Sequence, residues 1–209
     1  MKNITFAKNC IENNELRVVG FQEAIHNMRF EYFSKDDAEF FANNYFTIKG
    51  DADRTAIRSV ILIALVLQCL QYELKDFFLT VFKKERHLDT RLTAIRGYAA
   101  YATEAEVIPI MDKFTQILNK GGRLLALRTE YELLRSKFGL PYLIRKYGYS
   151  CFIEAAEVLD KMYDSLPKEL KGYFTYDENG VLVKLMSDKK MKRKFEAWLE
   201  RHNPCSPTQ

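Results

Sequence analysis

The tetrapeptide Thr-Ala-Ile-Arg occurs twice in the chain, at Thr55 to Arg58 and again at Thr93 to Arg96, 38 residues apart. A repeat of that length matches a unit of two antiparallel helices, which cannot bury its apolar faces alone and must stack on its neighbours. The offset therefore points to an all-α fold built as an array, and a chain of 209 residues has room for about five helix pairs. With 47% hydrophobic and 29% charged residues, the composition is that of a folded globular protein, so one domain spanning residues 1–209 is expected.

Apolar spacing locates the helices. Asn14 to Met28 carries Leu16, Val19, Ala24 and Met28 at helical intervals, with Gly20 as its weak point. Ser34, followed by Asp36 and Asp37, reads as an N-cap whose acids complement the helix dipole, and opens a helix to about Phe46. Past Lys49-Gly50, Asp51 or Asp53 can cap a long helix whose middle, Val60 to Leu67, is apolar on every side and predicts central burial. That run covers 8 residues, against the roughly 20 needed to cross a bilayer, so no membrane partner is expected.

Leu70, Leu74, Phe77, Phe78 and Val81 draw one stripe; Leu88, Leu92, Ile95, Ala99 and Ala102 draw another, whose alanines permit close approach of a neighbour. Helices over Val107 to Leu118 and Leu124 to Phe138 follow, divided by a turn at Gly121-Gly122. Gly139 then falls at a C′ position and Pro141 in the first turn of the next helix, with one more helix over Phe152 to Leu166. The array thus extends over residues 14–166.

After Pro167 the pattern changes. Tyr173 to Tyr176 and Val181 to Val183 flank Asp177-Glu178-Asn179-Gly180, which predicts a β-hairpin over residues 173–185 that must pack on the helices to be stable. Ser187 can cap a last, basic helix over residues 187–202, ahead of a fraying tail with Pro204 and Pro207. Between Lys184 and Arg201 seven cations face three acids, which accounts for the whole net charge of +4.

Grouped as 36–67, 70–102 and 104–138, the helices resemble HEAT repeats. The second helix of that family's unit often opens with an acid, an arginine and small residues; Asp89, Arg91, Ala94, Ala99 and Ala100 look like that, as do Asp53, Arg54 and Ala56. Val107, Ile108 and Pro109 match the first helix, where the proline bends the helix axis. The third pair departs from the pattern, having Arg128 and Arg135 without a matching acid, and the first pair lacks the proline. The resemblance covers about half the chain and implies antiparallel helix pairs in a right-handed array, with a surface that binds protein or nucleic acid.

Residues with chemical potential are scattered. His26, His87 and His202 show no metal-ligand spacing, and no cofactor or metal is expected. Cys10, Cys69, Cys151 and Cys205 form no Cys-x-x-Cys pair and read as free thiols, Cys69 as a small core residue. No secretory leader is visible, so a cytoplasmic location is expected. The adjacent Asp36 and Asp37, and Glu154 with Glu157, read as solvated helix faces rather than acid–base pairs. With no catalytic constellation, the chain is read as a non-enzyme.

Three groups are candidates for partner binding. Arg54, Arg58, Arg91 and Arg96 occupy related repeat positions; either they bond carboxylates and carbonyls that hold the stack, or they face an acidic partner. Phe30, Tyr32, Phe33, Phe40, Phe41, Tyr45 and Phe46 crowd into 17 residues, either as core or as an aromatic interface. Lys190, Arg193 and Lys194 lie on the basic helix, whose charged face is either solvated or a phosphate contact. The leading expectation is a non-catalytic module that binds and inhibits a protein partner, such as an immunity protein against a bacterial toxin. The alternative is a nucleic-acid-binding protein resembling the HEAT-like alkylpurine DNA glycosylases. The sequence leaves the oligomeric state open.

Overall fold

A computed structural model of the chain describes residues 2–49, 52–68, 74–120, 125–176 and 182–202. In order, the helices are α1 (Lys2–Glu12), α2 (Phe21–Met28), α3 (Lys35–Asn44), α4 (Ala52–Gln68), α5 (Lys75–Lys84), α6 (Leu88–Ala99), α7 (Glu104–Asn119), α8 (Leu125–Arg135), α9 (Leu140–Tyr147), α10 (Ser150–Asp164) and α11 (Asp188–His202). Strands β1 (Phe174–Tyr176) and β2 (Leu182–Lys184) pair antiparallel, Thr175 opposite Val183. Among the described residues the protein is all-α with one small hairpin near its C-terminal end.

Packing divides the chain into two compact units, Met1–Arg86 with Thr90–Val107, and His87–Asp89 with Ile108–Gln209. In the first unit α1 packs on α2 and α3, and α4 packs on α2 and α3; in the second, α8 packs on α9, α10 and β1. From α2 onward the helices follow the order expected from the sequence, and the packing within each unit does not display a solenoid repeat.

Local chemistry explains several boundaries. The Ser34 hydroxyl accepts from the Asp37 N–H at 3.1 Å while the Asp37 carboxylate accepts from Ser34 N–H, a complete capping box at the start of α3. Pro141 stands in the first turn of α9, as expected. Gly139 is not in the left-handed conformation of a C′ glycine; a Cβ there would lie 2.0 Å from the Leu134 carbonyl oxygen, so close backbone contact is what requires glycine. Gly97 plays a similar part on α6, where a Cβ would sit 2.6 Å from the Phe78 ring of α5. The close approach anticipated from the alanines of α6 thus centres on Gly97.

Two expectations change. The helix expected over 14–28 shortens to α2, because Asn14 and Gly20 adopt left-handed φ angles of 56° and 87° and turn the chain between them. Leu16 is buried in that turn, while Val19 is 96% exposed. The stripe of Ile4, Ala7 and Ile11 instead builds α1, which the sequence reading missed. The apolar middle of α4 is likewise not covered all round: Ile61, Leu62, Ala64 and Leu65 are buried, but Ile63 and Leu67 reach the surface.

Cys10 and Cys151 are buried, and neither is in a disulfide. Asp51, Cys69, Leu70, the Gly121-Gly122 turn, the Asn179-Gly180 turn, Cys205 and the proline tail lie outside the described residues.

Candidate functional site

The most concentrated polar chemistry is organised by α8. Leu127, Tyr131 and Leu134 set its apolar stripe in the sequence, and Glu130 occupies a position on that same stripe. Its side chain is correspondingly buried, with the residue only 5% exposed. One carboxylate oxygen lies 2.8 Å from Nδ1 of His87, and the other accepts from the Leu88 N–H at 2.8 Å, at the first residue of α6. Burial pushes the Glu130 pKa up, and the neighbouring Asp89 charge adds to that, against the Leu88 and His87 bonds that favour the ionised form. His87, Asp89 and Glu130 each offer a ligand atom, all within 4.8 Å of one another.

Two residues on, Glu132 performs a second gathering. Its carboxylate accepts from the N–H groups of Gly172, Tyr173 (2.8 Å) and Phe174 (2.7 Å) and from the Tyr163 hydroxyl at 3.0 Å. Gly172, at a φ of 76°, bends the chain so that three successive amides converge. Burial and the Glu132 charge together raise the Tyr163 pKa, so its phenol stays protonated and donates. Beside this cradle Arg135 bonds Asp160 at 2.6 Å and lies 4.1 Å from the centre of the Tyr163 ring. These groups, with Leu159 and Thr175, border a cavity of about 490 Å³. The cradle's donors are taken up by Glu132 itself, which makes it an anchor for the hairpin rather than an open anion site.

The residues singled out from the sequence fall elsewhere. Arg58 grips Glu85 through Nε at 2.9 Å and bonds the Ile48 carbonyl at 2.6 Å, and Arg91 donates to the Glu85 carbonyl at 2.6 Å. Both arginines converge on one nearly buried glutamate, Arg58 on its carboxylate and Arg91 on its carbonyl. Arg54 bonds the Lys49 carbonyl, and Arg96 is half-buried on α6. Phe33, Phe41 and Tyr45 are fully packed core residues, and Phe40 is half-buried against Phe41. Fully burying a phenylalanine ring contributes about 1.5–3 kcal/mol, so Phe33 and Phe41 stabilise this core. Burial, reinforced by the Glu85 charge, pushes the Tyr45 phenol pKa strongly up. Within the same aromatic cluster Phe30 and Tyr32 are 74% and 65% exposed. On α11, Lys190 and Arg193 are exposed and Lys194 is half-buried.

The sequence pattern does not single out Glu130, Glu132 or Tyr163, and by spacing it sets His87 aside. One signal was present: an acid at a position that helical periodicity reserves for an apolar residue, as Glu130 is. Comparison with protein-family models, with curated proteins and with solved structures finds nothing that matches the chain.

Proposed function

We propose that the chain is a non-catalytic protein-interaction module, an all-α protein that binds and inhibits one protein partner; an immunity protein acting on a toxin in the cytoplasm is the biological form that suits its size. The observation supporting this reading is the exposure of Phe30 and Tyr32 on the short loop between α2 and α3. Gln68 at the end of α4 donates to the Arg29 carbonyl at 3.2 Å, which brings exposed Leu67 to the same region, and the Arg29 guanidinium lies 4.6 Å from the Phe30 ring centre. Aromatic side chains with an arginine beside them are common energetic centres of interfaces, and loop residues held between two packed helices bind without a large ordering cost. The fitting partner surface is an apolar hollow ringed by carboxylates.

A photo-crosslinking residue at position 30, in cells of the source organism, should yield one dominant adduct. Excess unmodified protein should compete it away. The Phe30→Ser, Tyr32→Ser pair should not compete, although its melting temperature is unchanged. Equal adducts from position 30 and from exposed Glu154 on α10 would reject the proposal.

The exposed cations Lys189, Lys190, Lys192 and Arg193 on α11 favour a second reading, contact with a nucleic-acid backbone. Duplex DNA binding that falls steeply with salt, and is lost on Lys190→Glu with Arg193→Glu, would support it over the first.

A further inference from the structure

We propose that His87, Asp89 and Glu130 form a binding site for a divalent transition-metal ion of the zinc class. The three side chains come from two segments more than 40 residues apart, and their ligand atoms already lie within 4.8 Å of one another. A tetrahedral zinc with nitrogen and oxygen ligands at about 2.0–2.1 Å holds those ligands roughly 3.3 Å from each other. The 2.8 Å between His87 Nδ1 and Glu130 Oε1 therefore opens by about half an ångström when an ion enters, and the other spacings, none above 4.8 Å, close by at most about 1.5 Å.

The surroundings suit a ligand set. The Leu88 N–H holds the second Glu130 oxygen at 2.8 Å, an outer contact that fixes the carboxylate's orientation as metal ligands require. Two carboxylates and a neutral imidazole carry two negative charges, which a divalent ion balances. Without the ion, Asp89 and Glu130 repel one another while Glu130 is withdrawn from water. Imidazole among the ligands selects zinc, cobalt, nickel or copper over magnesium and calcium. His87 is nearly half-exposed, so an ion has a route in, and three protein ligands leave a fourth position for water.

The competing account is a helix cap. Glu130 and Asp89 stand at the start of α6, where negative charge complements the dipole without any ion. The two accounts separate in a titration of the full chain, stripped by chelator, with zinc or cobalt chloride alone. The metal site predicts one ion per chain, a cobalt visible spectrum typical of four-coordinate nitrogen and oxygen ligation, and a melting temperature about 5–10 °C higher at a hundredfold excess over Kd. His87→Gln and Asp89→Asn should each weaken binding at least tenfold while the metal-free variants keep the parent's helical circular-dichroism spectrum. Identical melts with and without zinc, or undiminished binding in His87→Gln, would show a cap and no more. A cobalt spectrum dominated by sulfur charge transfer would assign the ion to a cysteine and equally overturn the proposal.

Discussion

Removing the Glu132 carboxylate tests how the hairpin is held. In the structure it accepts three consecutive backbone N–H groups and one phenol. Hydrogen bonds to a charged group contribute about 1.5–3 kcal/mol each, and a donor stranded away from water loses all of it, whereas an accessible one is rescued by solvent. The Gly172 N–H is in an exposed setting, while those of Tyr173 and Phe174 are partly buried. Glu132→Ala should therefore cost about 3 kcal/mol, the loss falling on the latter two donors. For a chain of this size that lowers the melting temperature by roughly 6–12 °C. Glu132→Gln keeps one acceptor oxygen and should lose about half as much. Hydrogen exchange gives the sharper measurement: the Tyr173 and Phe174 amides should lose protection selectively, while those of α10 keep theirs. A shift under 2 °C, or amides as protected as in the parent, would refute the reasoning.

Gly97→Ala should destabilise by about 1–3 kcal/mol through collision with the Phe78 ring, and Phe78→Leu added to it should restore part of the loss in a double-mutant cycle of denaturant melts. Arg58→Met strands the nearly buried Glu85 carboxylate and should cost about 3–5 kcal/mol by urea unfolding, much of it recovered when Glu85→Gln is added. Asp37 is partly desolvated, which opposes its charge, but bonds from Lys8 and Ser34 outweigh that and hold its pKa below the ordinary 3.8. The unfolded chain therefore binds its proton first as pH falls: the stabilisation is complete above about pH 4 and disappears as pH drops through the lower folded value. Lys8→Met should flatten that acid limb of the stability curve, and an unchanged limb would discount the Lys8–Asp37 pair at 2.9 Å.

What could be read from the sequence follows the range of the interactions involved. Ser34 and Asp37 sit three residues apart, so the start of α3 was legible, as were Pro141 in α9 and the two strands flanking Asn179-Gly180. The turn at 13–20 was not, because Leu16 and Val19 fit helical spacing and only the left-handed angles at Asn14 and Gly20 reveal the break. The duplicated tetrapeptide was a partial guide: Ile57 and Ile95 are both buried, yet Ala94 is buried where Ala56 is exposed, so the two copies meet different neighbours. Arg58 and Arg91 are conspicuous in the sequence through their repeat positions, but their shared target, Glu85, carries no local mark. His87 with Glu130 and Glu132 with Phe174 join residues 43 and 42 positions apart, a separation that no spacing rule covers.

Glu130 and Glu132 stand two residues apart on α8, about 200° around its axis, so the helix fastens one strip of chain on each side. The first strip, at Leu88, is synthesised before α8, and the second, at Tyr173 and Phe174, long after it. A ribosome delivers the first unit whole once Val107 has emerged, while the second waits with one flank of α8 unfastened until the hairpin leaves the exit tunnel. During that interval, three donors and a phenol that belong to a carboxylate have yet to find it, and the order of translation sets the order in which the molecule closes.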